Sequence, residues 1–405
     1  MPLGRVHIPR RAQFGCCGDG LNDAPVLLLT GATGLVGGSL LKLLRADASR
    51  QCAVLVRAPE KARDLTASDG LRVLTGDITL PRLGLEDRQY AELRDTVTEI
   101  IHCAADTRFG IPLENSRKVN INGTAEVLAL ASKCRRLQKF AYISTAYVVG
   151  RAEGHFPEGP IRHQHGFCNA YQQSKYEAEE LVEQAMGEVP IAVFRLSTII
   201  GDSVTGQVHQ LNYFHRLIKL FPQSLLPVVP GRPDAPIDLV AGDWAIPALA
   251  LLFDSAFVPG RFYNICAGPK HSLTVREIFD LNLSAFESHP AGQKWLPITV
   301  PELVSLSRYE EFVEQESQKG DRLFNSVTTA LAYSLPHLAL FQTFDNTNTL
   351  HALAPSGLEM PSMRACYERV VRFCLDTNWG SRPRSASHCK ADDAEESGDR
   401  MPVAQ

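Results

Sequence analysis

Tyr171 and Lys175 stand four residues apart in AYQQSKYEAEELVEQ, a Y-x-x-x-K pair. Four residues make about one helical turn, so a helix here projects both side chains from one face. A neighbouring cation lowers the pKa of a phenol. A phenol tuned in this way exchanges a proton with a carbonyl or alkoxide oxygen near neutral pH. Upstream, FAYISTAYVVG ends an apolar run in the hydroxyl pair Ser144–Thr145, which supplies a group to orient that oxygen. Tyr147 is a further side chain within reach of the same pocket.

A second constellation gives the pair its meaning. The first apolar run leads into TGATGLVG, with Gly31, Gly34 and Gly37 spaced G-x-x-G-x-x-G and a helical pattern beyond. Glycine allows the tight turn and lets the backbone at Thr33, Gly34, Leu35 and Val36 approach a pyrophosphate. A helix N-terminus adds favourable partial charge for that anion. The second run ends in AVLVRA, placing Arg57 where an NAD enzyme usually carries an acidic residue, with Lys61 and Arg63 close behind. Arginine pairs with a 2′-phosphate and stacks on adenine, so the expected cofactor is NADP. Asp77 and Ile78, after the third run, are expected beside the adenine. Cys103 and the small Ala104 and Ala105 end the fourth run and let the chain pass close to phosphates and ribose. Leu196, Ser197 and Thr198 are expected at the nicotinamide end, and Lys175 on the nicotinamide ribose. His102 reads as a packed histidine.

These residues need a scaffold. Strand-like runs at Val26–Thr30, Ala53–Arg57, Leu71–Thr75, Glu99–Cys103, Lys139–Ser144 and Ile191–Leu196 alternate with helical patterns such as Leu35–Arg45, Asn120–Lys133 and Ala170–Met186. Continuous apolar strands alternating with helices mean a parallel sheet covered on both faces. The expectation is an α/β, doubly wound Rossmann sheet with a smaller, mostly helical C-terminal substrate-binding cap. The divisions are an arm at 1–24, an NADP-binding domain at 25–270 with a cap insertion at about 203–240, a substrate-binding region at 271–380 and a disordered tail at 381–405. The apolar stretches 245–257 and 323–341 are candidates to line an acyl tunnel, with core packing as the other reading.

Net charge is −4, and no basic stripe points to nucleic acid. The ten cysteines show no zinc spacing and read as free thiols in a reducing compartment. No secretory leader or transmembrane segment is expected, and the location read from these features is cytoplasmic. No metal site is expected, and the oligomeric state is not legible.

Together, TGATGLVG, LVRA, GDITLPRLGL, IIHCAADTRF, NINGT, YISTAYVVG, YQQSK and FRLSTIIGDS resemble the thioester reductase branch of the extended short-chain dehydrogenases. That branch includes the reductase domains of carboxylic acid reductases and nonribosomal peptide synthetases, and the fatty acyl-CoA reductases. The resemblance spans roughly 25–270 and continues loosely through FDNTNT (344–349) and the helix-like segment after it. It selects Thr145, five residues before Gly150, as the catalytic hydroxyl beside Tyr171 and Lys175, and matches Asn120 to the helix asparagine of the family. It implies hydride delivery from NADPH to an acyl thioester, giving an aldehyde and a thiol, with a second reduction to an alcohol left open. With no carrier domain in the sequence, the thioester would arrive on CoA or on a separate carrier protein. Arg162, Arg216, Lys219 and Arg232 are candidates to meet its phosphate. A reductase or dehydrogenase of a free ketone, aldehyde or alcohol, such as a sterol or polyketide tailoring substrate, would use the same residues. A nucleotide-sugar epimerase or dehydratase is disfavoured by Arg57. A catalytically silent redox sensor typically lacks the tyrosine or the lysine, and both are present here.

Overall fold

The computed structural model describes residues 24–62 and 70–381. The arm up to residue 23, Arg63, the tail from residue 382, and the cysteines at 16, 17 and 389 lie outside the described residues, as does the side chain of Lys61.

The apolar runs form seven strands: β1 Val26–Thr30, β2 Gln51–Val56, β3 Leu71–Thr75, β4 Glu99–His102, β5 Lys139–Thr145, β6 Ile191–Leu196 and β7 Phe262–Ile265. They make one sheet in the order β7-β6-β5-β4-β1-β2-β3. Every neighbouring pair is parallel. The strand order reverses between β1 and β4, which opens a crevice at the carboxyl ends of those strands. Both faces are covered. Leu27 and Leu29 of β1 join one apolar cluster and Leu28 joins the other. Among the described cysteines all seven are free thiols, five of them buried.

The helices that matter for the site are α1 Leu35–Leu44, α2 Gly123–Ala131, α3 Ala170–Ala185, α4 Tyr213–Leu220, α5 Gly242–Asp254, α6 Val275–Ser288 and α7 Met363–Asp376. The pattern at 120–133 is not one regular helix. A π-type turn at Lys118–Asn122 precedes α2, and such turns mark sites where a side chain must be re-aimed. Here that side chain is the buried Asn120. α3 starts cleanly because the Asn169 side chain accepts the Gln172 backbone N–H at 3.0 Å.

The C-terminal half does not hang apart from the sheet. Gln342–Phe344 runs parallel to Gly154–Phe156, and Leu239–Ala241 parallel to Thr198–Gly201. Glu158 ties the two halves together by accepting from Asn264 N–H at 3.0 Å and from the Thr349 hydroxyl at 2.5 Å. Asn346 donates to the Cys266 carbonyl at 2.9 Å. The FDNTNT segment is therefore a seam. α7 packs on α6 and on Thr198–Gly201.

The helix that carries Tyr171 and Lys175 is held to the sheet by a buried ion pair. Arg195 on β6 reaches Glu179 on α3 through Nε at 3.0 Å and Nη2 at 2.6 Å. Arg195 is 1% exposed and Glu179 3%. The remaining Arg195 nitrogen donates to the Gly159 carbonyl, and the guanidinium lies over the Phe262 ring. Removing one partner leaves an uncompensated charge in a low-dielectric setting. Glu179→Ala is expected to cost about 3–5 kcal/mol of stability, read from urea unfolding. A loss near zero would show that the clamp does not hold the helix.

Candidate active site

The glycine turn is tight for a definite reason. Gly31 has φ +79°, and a Cβ there would lie 2.6 Å from Ala104 N. A Cβ on Gly37 would lie 2.3 Å from the Gly31 carbonyl oxygen. The turn thus packs directly on the end of β4. Gly34 is different, because a Cβ there would meet protein only at 3.4 Å. Its bareness leaves the cradle open for something other than protein. Gly34 caps α1 with no side-chain hydrogen bond, and no acidic residue occupies the first turn. An uncapped helix N-terminus of this kind offers its first N–H groups to an anion such as a pyrophosphate. These features fit a dinucleotide.

The residues expected along that dinucleotide gather at the carboxyl ends of the strands. Arg57 is exposed just past β2. It lies near enough to Asp106 to add to the pull of Arg108, which holds that carboxyl below its ordinary range. Asp77 accepts the Thr79 N–H at 2.8 Å, and Ile78 beside it is buried. Cys103 and Ala104 border the glycine turn, and burial pushes the Cys103 thiol up to about 11. Ala105 follows, half-buried.

Asn120, matched to the helix asparagine of the family, is buried. Its Oδ1 accepts the Asp106 N–H at 2.7 Å, and its Nδ2 donates to Ser174 Oγ at 2.8 Å and the Asp106 carbonyl at 3.0 Å. The side chain bolts the loop after β4 to α3. His102 is packed as the sequence suggests. It bridges Thr30 and Thr124 at 2.7 and 3.1 Å, and burial drives its pKa down to about 3.

Tyr171 and Lys175 do share a face of α3, and Thr145 ends β5 beside them. The Thr145 hydroxyl interacts with the Tyr171 phenol and draws its pKa down, but burial is larger and leaves it above the ordinary value. Lys175 is buried. Its ammonium donates to the Tyr142 hydroxyl at 2.7 Å and the Ile143 carbonyl at 2.8 Å. Burial lowers its pKa to about 8, with Glu179 acting in the opposite direction. The expectation that Lys175 tunes Tyr171 directly is not what this arrangement shows. The lysine is held by β5, with one donor left for a ribose. The Ser144 hydroxyl is buried and without a partner, a neighbour of the catalytic candidates.

Beyond Tyr171 the walls become aromatic. Phe109 stacks on Tyr171 at 5.9 Å and lies tilted against Tyr213 at 5.0 Å. Thr198 meets the Tyr213 hydroxyl at 3.1 Å, and Ser197 donates to the Asp238 carbonyl at 2.8 Å. Leu196 is buried just before them. Tyr147 contributes its ring, but its hydroxyl is taken by the Asp238 carbonyl at 3.0 Å.

Two cavities lie past this point. The smaller is bordered by Tyr147, Tyr213, Phe214 and His337. The larger shares Phe214, Leu217 and Leu338 with it and is walled by apolar side chains of α4, α6 and 327–338. Of the two stretches expected to line an acyl tunnel or pack in the core, 323–341 contributes side chains to both cavities. The other, 245–257, does not line either cavity, because Trp244–Phe253 of α5 are buried against α1. Sequence reasoning missed Phe109, Tyr213 and His337. Phe109 sits in the quoted HCAADTRF motif, whereas His337 gave no signal.

Of the four basic candidates for a phosphate, Arg162 is paired with Glu183, and Arg232 with Glu153 and Asp234. Lys219 lies over the Trp379 ring at 5.6 Å, and Arg216 is exposed. No group of histidine, cysteine or carboxylate side chains that could hold a metal occurs among the described residues. No helix among them is long and apolar enough to cross a membrane.

The comparisons with known proteins agree with this geometry. A family model described as male sterility protein, an NAD-binding family, matches residues 29–249. A non-canonical nonribosomal peptide synthetase of Aspergillus hancockii is 27% identical over 387 residues, covering 86% of this chain and 36% of that protein. An aldehyde reductase of Aspergillus flavus is 26% identical over 384 residues, with the same 86% and 36% coverage. The chain thus spans about a third of each of these relatives. The crystal structure of a terminal R domain from the myxalamid PKS-NRPS pathway superposes with a TM-score of 0.72 at 22% identity, covering 88% of this chain and 92% of that one. The chain belongs to the male sterility protein family, an NAD-binding family whose model covers more than half of it.

Proposed function

We propose that this chain uses NADPH to reduce an acyl thioester, presented on CoA or a separate carrier protein, to an aldehyde. Thr145, Tyr171 and Lys175 carry the chemistry. The observation that supports this most is the pairing of the Thr145 and Tyr171 hydroxyls, with Phe109 between Tyr171 and Tyr213 on the wall of the smaller cavity, which shares three lining side chains with the apolar one. Arg57, exposed past β2, supports NADP over NAD, because a guanidinium there can pair with a 2′-phosphate.

When bound, the reduced nicotinamide supplies a hydride to the carbonyl carbon. The Tyr171 and Thr145 hydroxyls donate to the carbonyl oxygen as it gains negative charge. Tyr171 is kept protonated by burial, which suits a proton donor better than a base. It passes its proton to the oxygen; as the carbon–sulfur bond breaks, the hydroxyl proton moves to the sulfur, aldehyde and thiol leave, and water returns a proton to Tyr171. Lys175 holds the ribose side of the cleft through its remaining donor. A second reading, reduction of a free aldehyde or ketone, is favoured by the similarity to the A. flavus aldehyde reductase.

Three measurements test these assignments. Purified protein with NADPH is offered acyl-CoA thioesters, free aldehydes and ketones, and the products are trapped. Thioester turnover to aldehyde is expected, and Tyr171→Phe should lower kcat by about 10²–10⁴-fold with the fold intact. Good aldehyde or ketone turnover with none from any thioester would instead establish the second reading. Arg57→Ala should raise KM for NADPH by roughly 10-fold or more and leave KM for NADH unchanged. An unaltered NADPH value would detach Arg57 from the 2′-phosphate. Lys175 is charged below its pKa of about 8 and neutral above it, so NADPH binding should weaken as pH rises through that value. Lys175→Met should remove this step from the titration.

A further inference from the structure

Gln172 follows Tyr171 on α3, and its amide has only one sensible orientation. Its Oε1 accepts the Cys168 backbone N–H at 2.9 Å. Its Nε2 is therefore the donor facing His337 Nε2 at 3.0 Å. That makes Nε2 the accepting nitrogen of His337 and places the ring proton on Nδ1. The Nδ1–H is buried and has no hydrogen-bond partner. The ring is neutral, since burial and Arg151 push its pKa down to about 4.

His337 lines the smaller cavity, edge-on to Tyr147 at 5.5 Å between ring centroids. Three other polar side chains there have partners. Tyr147 donates to the Asp238 carbonyl, the Tyr213 hydroxyl meets Thr198, and Gln342 donates to the Gly150 and Ala152 carbonyls. His337 is tied to the reaction centre from two sides. Gln172 is next to Tyr171, and Tyr147 is two residues past Thr145. A buried donor without an acceptor carries the full cost of its desolvation, which a ligand oxygen would remove.

We infer that His337 is a specificity residue whose Nδ1–H takes an oxygen on the acyl chain close to the thioester, so that β-hydroxy- or β-oxoacyl thioesters are preferred over plain acyl chains. The apolar remainder of such a chain then occupies the larger cavity. This rests on the thioester reading above.

The test compares kcat/KM for a β-hydroxyacyl-CoA and the unsubstituted acyl-CoA of the same length, with NADPH. The wild-type protein is expected to prefer the β-oxygenated substrate by about 10-fold or more. His337→Phe should bring that ratio to about one, mainly through KM of the β-oxygenated substrate. His337→Asn, which offers an N–H near the Nδ1 position, should keep a preference that His337→Gln loses. This second pair decides the matter if the phenylalanine variant does not fold. Equal kcat/KM for both thioesters in the wild-type protein overturns this inference alone. A ratio unmoved by His337→Phe, or the same for Asn and Gln, overturns it as well. No turnover of either thioester overturns the thioester reading and this inference with it.

Discussion

One contact holds the site in register: the buried pair between Glu179 on α3 and Arg195 on β6. α3 places Tyr171, Lys175 and Glu179 along one stripe, a turn apart. The first two face the cleft, and the third is fixed to the sheet. Glu179 has a second effect, because its charge offsets part of the burial penalty on the Lys175 ammonium. Asn120 secures the other side of the same helix through Ser174. A phenol and an ammonium are therefore presented by a helix held at two places, with no reliance on loop conformation.

Much of this was readable in the residues. Val26–Thr30, Leu71–Thr75 and Ile191–Leu196 are strands with the limits their sequence runs imply; the first and last are buried almost throughout, and Leu71–Thr75, at the sheet edge, is only partly covered. The glycine turn was legible because glycine there answers to specific close approaches. Other features were hidden because they depend on partners far away in the chain. The stretch 245–257 is equally apolar whether it lines a tunnel or packs on α1, and only the packing decides. Asn120 matched a pattern, but the atoms it holds became evident only with the π-type turn in place. His337 could not have been found from spacing. Its tautomer is set by an amide 165 residues earlier, which in turn is set by a backbone N–H.

The two cavities divide the surroundings of the site by chemistry. Near Tyr147 and Tyr213 the lining carries polar atoms. Past Phe214, Leu217 and Leu338 it is nearly all hydrocarbon. The same three side chains border both. An apolar group gains by burial in the second cavity, and a polar group does not, because little there replaces water.

The seam formed by Gln342–Phe344 along Gly154–Phe156 also bears on how the chain reaches its native state. Residues paired across it are 188 positions apart. Closing so long a loop carries a large entropic cost and returns contacts only when the ends meet. During synthesis the glycine turn and most of the sheet emerge well before the residues that complete the cavity. The nascent protein therefore carries an open apolar groove for much of its emergence, and its lining is a surface that a chaperone could shield.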